Sequence, residues 1–98
     1  MTRYIVLLNF LEKGFGNVAE SPARAEEFRS AATKVGAKVE SADWTLGAYD
    51  GVFVISAPDD ATAAALVLKL GRDGNVRTTM LRAFDADEFQ EVLGKVTS

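Results

Sequence analysis

Short apolar runs and helical stripes follow one another along this chain of 98 residues in the order strand, helix, strand, strand, helix, strand, with one more helix at the end. The first run, residues 3–10 (RYIVLLNF), is rich in branched and aromatic side chains and too short for a stable helix, so it predicts a buried strand. Runs at residues 37–46, 52–57 and 76–84 predict three further strands. Since only a glycine-containing turn at 47–51 separates the two middle runs, they are expected to form a hairpin.

The first helix is predicted from Pro22 to about Val35. Ser21 before Pro22 is typical of an N-cap followed by proline at the first helical position, and Gly36 stops the helix. The preceding segment, residues 11–20, contains two glycines and is expected to be a loop. The apolar positions of this helix recur at steps of three and four residues and are Ala25, Phe28, Ala32 and Val35.

Two more helices are predicted further along the chain. Residues 61–70 are strong helix formers, and Asp59 and Asp60 supply negative charge where a helix N-terminus favours it. Asp85 and Glu88 have the spacing of a capping box at the start of the last helix. Capping therefore explains these carboxylates better than a cation site does. The last helix carries one apolar stripe, formed by Phe89, Val92, Leu93 and Val96.

The order of these elements predicts the fold class. Split βαβ units of this order typically form a four-stranded antiparallel sheet with both crossover helices on one face, the ferredoxin-like arrangement of the α+β class. With 48% apolar and 26% charged side chains, the chain has the composition of one globular domain, and we assign residues 1–98 to it.

Both faces of the predicted sheet are apolar. Two helices cover one face, and the last helix, about twelve residues long, can cover only part of the other. We therefore expect a homodimer, or a higher oligomer built from it, in which a second copy covers the rest. The alternative is a monomer whose last helix folds over the open face. The two apolar sets of the first strand are Tyr4, Val6, Leu8 and Phe10 on one side and Ile5, Leu7 and Leu11 on the other.

The sequence contains neither cysteine nor histidine. It therefore lacks the thiolate and imidazole ligands of most zinc, copper and haem sites, and it has no thiol nucleophile. We predict no metal and no cofactor. Because a disulfide framework is absent and residues 4–11 are too short for a signal peptide or a membrane span, we expect a cytoplasmic protein without membrane contact.

The acidic balance, a net charge of −3, disfavours nucleic acid as a partner. RNA-recognition modules share the strand order, but Asp50 stands where the third strand would need a base, and Phe53 is the only aromatic residue there. Gly14 and Gly16 precede a helix as in a dinucleotide fingerprint, but that helix starts too late and two glutamates would repel phosphate. We expect neither a nucleic acid nor a nucleotide.

One group of polar and aromatic residues remains as a possible site on the strands and at the hairpin turn. Trp44 and Tyr49 can line a pocket for a flat apolar ligand, and Asp50 can serve as a base if burial raises its pKa. The alternative is structural: Tyr49 and Asp50 build the turn, and Trp44 is an ordinary core aromatic. The candidate ligand-binding residues are Asn9, Trp44, Tyr49, Asp50, Arg77 and Arg82.

The run Gly47-Ala48-Tyr49-Asp50 and several further blocks resemble the GYD-domain family, which is named for a Gly-x-Tyr-Asp run. The resemblance covers nearly the whole chain and implies a fold similar to the dimeric α/β barrels, in which the sheets of two ferredoxin-like subunits face each other. It implies no established activity and no catalytic residues. One departure is Leu11, where relatives tend to have threonine. The other matching blocks are residues 4–9, 44–46, 57–60, 74–78 and 81–84.

Two functions are consistent with these observations. The first is a non-catalytic, homo-oligomeric accessory module that binds a small molecule or only its own copies. The second is a cofactor-free enzyme of the monooxygenase or isomerase type, acting on an aromatic or enolisable metabolite through the polar residues of the candidate group. Whether Trp44, Tyr49, Asp50 and Arg82 converge on one enclosed cavity distinguishes the two.

Overall fold

The computed structural model describes residues 1–96 and contains the predicted sheet. Its strands are β1 (Thr2–Phe10), β2 (Lys38–Trp44), β3 (Gly51–Ala57) and β4 (Val76–Ala83). They pair antiparallel in the order β2-β3-β1-β4, so β2 and β4 are the edges. The ferredoxin-like α+β fold with the order βαββαβ is therefore confirmed.

The helices are α1 (Glu12–Gly16), α2 (Ser21–Lys34), α3 (Asp60–Arg72) and α4 (Ala86–Val96). The prediction of a loop over residues 11–20 was wrong, because α1 and a 3-10 turn at Val18–Glu20 occupy most of it. The prediction of Ser21 as the N-cap was also wrong. The 3-10 turn runs directly into α2, so Ser21 is already helical and Glu20 takes the N-cap position without a side-chain hydrogen bond.

Close contact with the loop before β4 holds α1 in place. Gly14 is buried there, and a Cβ added to it would lie 2.0 Å from the backbone oxygen of Asn75. The Leu11 N–H donates to that same oxygen at 2.9 Å, and Lys13 Nζ donates to the backbone oxygen of Asp73 at 2.7 Å. Helix propensity alone would not stabilise so short a segment with two glycines, which is why its sequence resembles a loop.

The core lies between one face of the sheet and the helices α2 and α3. Tyr4 and Val6 of β1 and Phe53 and Ile55 of β3 are buried on this face. The Phe28 ring of α2 is 5% exposed and stacks on Phe53 with the ring centroids 4.7 Å apart. Apolar burial of this kind, rather than polar contacts, is the main source of stability in a domain of this size.

The predicted inward stripe of α2 is confirmed for most of its length. Phe28 and Ala32 are buried, and Ala25 packs against the core. Val35 is the exception, since it lies at the C-cap, beyond the last helical residue, and is half exposed.

Two predicted helix starts are confirmed by hydrogen bonds. Asp59 Oδ1 accepts the N–H of Thr62 at 2.8 Å at the start of α3, and this bond holds the pKa of Asp59 below its ordinary value. At the start of α4, Asp85 Oδ1 accepts the N–H of Glu88 at 2.8 Å, and Glu88 Oε1 accepts the N–H of Asp85 at 3.1 Å. This reciprocal pair is a capping box.

A buried tyrosine connects the sheet to α3. The Tyr4 hydroxyl donates a hydrogen bond to the Asp60 carboxylate in the first turn of that helix. Burial raises the pKa of Tyr4, and the neighbouring Asp60 adds to the effect, so the phenol stays protonated at neutral pH.

The second face of the sheet is uncovered in the single chain. We call it the open face, and the register shows that it carries Ile5 and Leu7 of β1, Val52 and Val54 of β3, and Leu81 of β4. The four residues of β1 and β3 are only partly buried, and Leu81 is 45% exposed. A large apolar area therefore meets solvent unless another molecule covers it.

Helix α4 does not fold over the open face. None of its residues is buried, and it has at most sparse contact with any other element. The predicted apolar residues, called the α4 stripe, are between 36% and 73% exposed and comprise Phe89, Val92, Leu93 and Val96. The structure therefore differs from the alternative expectation, in which the last helix of a monomer folds over the open face.

Candidate functional site

The turn between β2 and β3 reaches across to β1. The Asp50 N–H donates to the backbone oxygen of Leu8 at 2.8 Å, and Asp50 Oδ2 accepts the N–H of Phe10 at 2.8 Å. The register of β1 with β3 ends at Leu8 and Gly51, so the Asp50 carboxylate extends the ladder by one hydrogen bond. We call this set of contacts the Asp50 clasp.

Further bonds close the turn around Asp50. The Thr45 N–H donates to the backbone oxygen of Asp50 at 3.0 Å, and Thr45 Oγ1 donates to that of Tyr49 at 2.7 Å. Asn9 Nδ2 donates to the backbone oxygen of Ala48 at 2.9 Å. Gly47 adopts a φ of 127°, in the left-handed region that favours glycine. Tyr49 itself is 37% exposed. Backbone geometry therefore accounts for much of the Gly-x-Tyr-Asp run.

Asn9 and Arg77 are neighbours on the open-face side of the sheet. The two residues are register partners on β1 and β4. Arg77 is exposed, and within residues 1–96 it forms no ion pair. Asn9, Tyr49, Asp50 and Arg77 thus gather at one end of the sheet, but none of the four lines the cleft described below.

Arg82 lies near the opposite end of β4, where its register partner is Tyr4. Its guanidinium carbon stands 4.5 Å from the centroid of the Phe84 ring, and Nη2 is 3.3 Å from Glu88 Oε2. These contacts join the end of β4 to the first turn of α4. Arg82 therefore lies far from Asn9 and Arg77, which pair at the other end of β4.

Trp44 lines a cleft of about 580 Å³ between α2, α3 and the sheet. It is 51% exposed at the end of β2. Leu8, Phe10 and other side chains of the sheet's helical face form the floor, and two alanines of α2, Ala25 and Ala31, line the cleft on the helix side. The other five candidate residues are not among the lining residues. The six therefore do not converge on one cavity, and ligand binding by them stays a prediction.

Asn75, immediately before β4, also lines this cleft. Its Oδ1 is buried, and among residues 1–96 it is the only buried side-chain polar atom without a hydrogen-bond partner. Buried acceptors without a partner are rare and costly in folded proteins, so each one needs an explanation. The backbone oxygen of Asn75 accepts the N–H of Leu11, and Gly14 packs closely against the same oxygen.

Sequence reasoning missed the cleft. The signal for it was the run of alanines on the inner side of α2, because small side chains on a helix that packs on a sheet leave space beside the larger residues. Asn75 belongs to the block 74–78 that matches the GYD family, but that match did not indicate a cleft, because the position of Asn75 depends on contacts with α1, which is distant in sequence.

Within residues 1–96 no three histidine, cysteine, aspartate or glutamate side chains are grouped closely enough to hold a metal ion. The helices of that part of the chain include none with the length and apolar character needed to cross a membrane.

Chelation is expected to leave the melting temperature unchanged, because the carboxylates at the helix starts are engaged with backbone N–H groups rather than grouped around a cation. Thermal unfolding with and without EDTA at matched ionic strength measures this. A loss of several degrees on chelation would contradict the prediction.

The sheet order and the Asp50 clasp define a ferredoxin-like α+β module whose second sheet face is uncovered in the single chain. The chain belongs to the GYD family: the model of the GYD domain matches residues 4–93. The resemblance inferred from the Gly47-Ala48-Tyr49-Asp50 run is thereby confirmed.

A protein of Thermus thermophilus, the glutamine synthetase and cystathionine beta-lyase binding protein, is 33% identical to this chain over 84 residues. The alignment covers 85% of this chain and 88% of that protein.

Two solved structures from Mycobacterium tuberculosis share the fold. The feast or famine regulatory protein complexed with L-methionine has a TM-score of 0.67 at 19% identity, covering 88% of this chain. The leucine response regulatory protein has a TM-score of 0.65 at 19% identity, covering 87% of this chain. This chain spans about half the length of both regulators, 52% and 51% respectively. At this identity the likeness concerns the fold alone.

Proposed function

We propose that the chain is a non-catalytic accessory module of the cytoplasm that works as a homodimer, or a higher oligomer built from it, and binds a small molecule and a larger protein. The observation that carries this proposal is that the open face and the α4 stripe are both left uncovered by one chain. Contiguous exposed apolar surface of this kind marks interaction sites. A second copy that covers the open face would form a dimeric α/β barrel.

Charges at the two edges of the open face support a particular pairing. Asp43 on β2 and Arg77 on β4 lie at opposite edges and near the same end of the sheet, and neither is ion-paired within residues 1–96. A two-fold axis along the strands places β2 of one copy opposite β4 of the second. Asp43 of each copy then faces Arg77 of the other, which gives the self-complementary interface that two-fold symmetry requires.

Reversing either charge is expected to weaken dimerisation. Asp43→Arg or Arg77→Asp alone places like charges across the interface and should raise the dissociation constant by roughly 100-fold. The double variant should restore dimerisation, because the pairs are re-formed with exchanged signs. Light scattering during size-exclusion chromatography over a range of micromolar concentrations measures both effects.

The control variant is Arg72→Asp, which reverses a charge at the exposed end of α3 on the other side of the sheet and should leave the dimer unchanged. A wild-type monomer at micromolar concentration would overturn the proposed dimer. Dimers that form equally well in all variants would leave the dimer standing and overturn the two-fold axis along the strands.

The protein partner is proposed from the Thermus relative, whose name states that it binds glutamine synthetase and cystathionine beta-lyase. Isothermal titration calorimetry of this chain against each of those two purified enzymes tests the proposal. The same titration with the Arg77→Asp variant shows whether binding needs the dimer. Binding of one enzyme at micromolar concentration supports the proposal. No heat of binding with either enzyme contradicts this part of it.

The small-molecule part rests on the cleft beside Trp44. Asn9, Tyr49, Asp50 and Arg77 remain candidate ligand contacts at the turn end of the sheet, and Arg82 remains one near the opposite end of β4, on the helical face. The alternative of a cofactor-free enzyme is less favoured, because the Asp50 carboxylate accepts a backbone N–H and the cleft is not lined by the polar residues of the proposed catalytic group.

A further inference from the structure

The cleft between α2 and α3 has the size and lining of a small-molecule site. Its volume of about 580 Å³ falls in the range of roughly 300 to 1,000 Å³ that such sites occupy. The walls combine apolar and aromatic side chains from both helices and the sheet, among them Phe10, Phe28, Trp44, Phe53, Leu66 and Val76. An apolar ring therefore finds stacking and dispersion partners on several sides.

The polar groups of the cleft favour a neutral occupant. The basic and acidic side chains that line it are equal in number, so neither sign of charge prevails: Arg24, Lys34 and Lys69 against Glu26, Glu27 and Asp73, while the register places the Asp43 side chain on the open face. Arg24 is already engaged, donating to the backbone oxygen of Asn17 at 3.0 Å and to Ser21 Oγ at 3.2 Å. An ionised ligand would gain no dedicated counter-ion here, while its desolvation would be costly.

Asn75 Oδ1 indicates which polar group a ligand of the cleft should carry, namely a hydrogen-bond donor. It is a buried acceptor that lacks a partner, and it belongs to a residue that lines the cleft. The backbone of Asn75 is fixed, because the Leu11 N–H donates to the backbone oxygen of Asn75 and Gly14, which has no Cβ, packs against that same oxygen. Because an unpaired buried acceptor is costly, a bound molecule that donates an N–H or O–H to it would gain affinity.

We propose that this cleft binds a small neutral molecule with a one-ring or branched apolar body and one hydroxyl or amide donor, which Asn75 Oδ1 accepts. The site lies on the helical side of the sheet and so stays accessible when the open faces of two copies meet. The inference deepens the small-molecule part of the function proposed above and rests on it, whereas it does not depend on dimerisation.

Two probes with the same ring and oxygen test the proposal, namely benzyl alcohol, whose oxygen carries a proton, and benzyl methyl ether, in which a methyl group replaces that proton. Each is titrated into ¹⁵N-labelled full-length protein and followed by amide and indole N–H chemical shifts. The alcohol should shift the Trp44 indole and the Asn75 signals and bind about five- to tenfold more tightly than the ether, the difference that one satisfied hydrogen bond makes. Asn75→Leu should bind both probes equally.

A substitution that fills the cleft with a larger side chain provides a second test of ligand binding there. Ala31→Leu places a larger side chain inside the cleft and should abolish binding of benzyl alcohol, whereas Ala23→Leu, the same change at an exposed position of α2, should leave it unchanged. The spectra of both variants report whether the fold is intact.

Three outcomes would overturn the proposal: shifts confined to the open face, no shifts at millimolar alcohol, or equal affinity of the alcohol and the ether in the wild type. A dimeric wild type with a monomeric Ala31→Leu variant would also overturn it, because a second copy would then be the occupant of the cleft. Light scattering on the same samples keeps the two proposals apart, since a monomer that binds benzyl alcohol contradicts only the proposed dimer.

Discussion

Replacing Phe28 with alanine is expected to lower the free energy of unfolding by about 3 to 5 kcal/mol. Phe28 is 5% exposed, and its ring stacks on Phe53 at the centre of the contact between α2 and the sheet. The loss combines the apolar area returned to water with the cavity left beside Phe53. Because a domain of this size has a total stability of only about 5 to 15 kcal/mol, the variant should be marginally folded.

Urea unfolding followed by the fluorescence of Trp44, the single tryptophan, measures this effect. The protein concentration has to be held constant, since association stabilises the folded state. Lys34→Ala is the control, because Lys34 is exposed at the end of the same helix and its loss should change stability by no more than about 0.5 kcal/mol. Equal stability of the two variants would mean that α2 presents a different face to the sheet.

Gly14→Ala is expected to destabilise the chain by about 3 kcal/mol or more, at the upper end of what overpacking costs. The added Cβ would lie 2.0 Å from the backbone oxygen of Asn75, and a backbone atom cannot move aside as a side chain can. Relief therefore requires α1 to shift away from the loop before β4, which breaks the hydrogen bond from Leu11.

Gly16→Ala is a closely matched control for this effect. Both glycines lie in α1 and neither has a positive φ, but nothing stands within 4 Å of a Cβ at Gly16. Alanine there should be neutral or stabilising by up to about 1 kcal/mol, because it restricts the unfolded chain. The same urea unfolding experiment compares the two variants. A Gly14→Ala protein as stable as Gly16→Ala would show that α1 does not pack on Asn75.

The sheet and the helices α2 to α4 could be predicted from the sequence because their signals are local. Branched and aromatic residues occur in runs of strand length, the stripe around Phe28 has a helical period, and the Asp85 capping box depends on residues three positions apart. The strand ends were less accurate: Thr45 and Leu46 belong to the turn, and Leu46 is fully exposed.

What the sequence could not predict depends on contacts between distant segments. α1 exists because Gly14 meets Asn75, and neither residue indicates the other. The candidate site was assembled from residue types that often bind ligands, but Arg82 is engaged by Phe84 and Glu88, and the Asp50 carboxylate bonds to Phe10. Of the six candidate residues, only Trp44 lines the cleft between α2, α3 and the sheet, because it is on the side of β2 that faces the helices.

The Asp50 clasp has a consequence for what the family's signature means. Its hydrogen bonds use the backbone of the turn and one carboxylate, and they join two strands at the point where their ladder ends. Ala25 and Ala31, which line the cleft, lie outside the Gly-x-Tyr-Asp run and outside the other blocks that match the family. Substitutions on the inner side of α2 can therefore change which molecules fit the proposed site while the hydrogen bonds that close the hairpin stay intact.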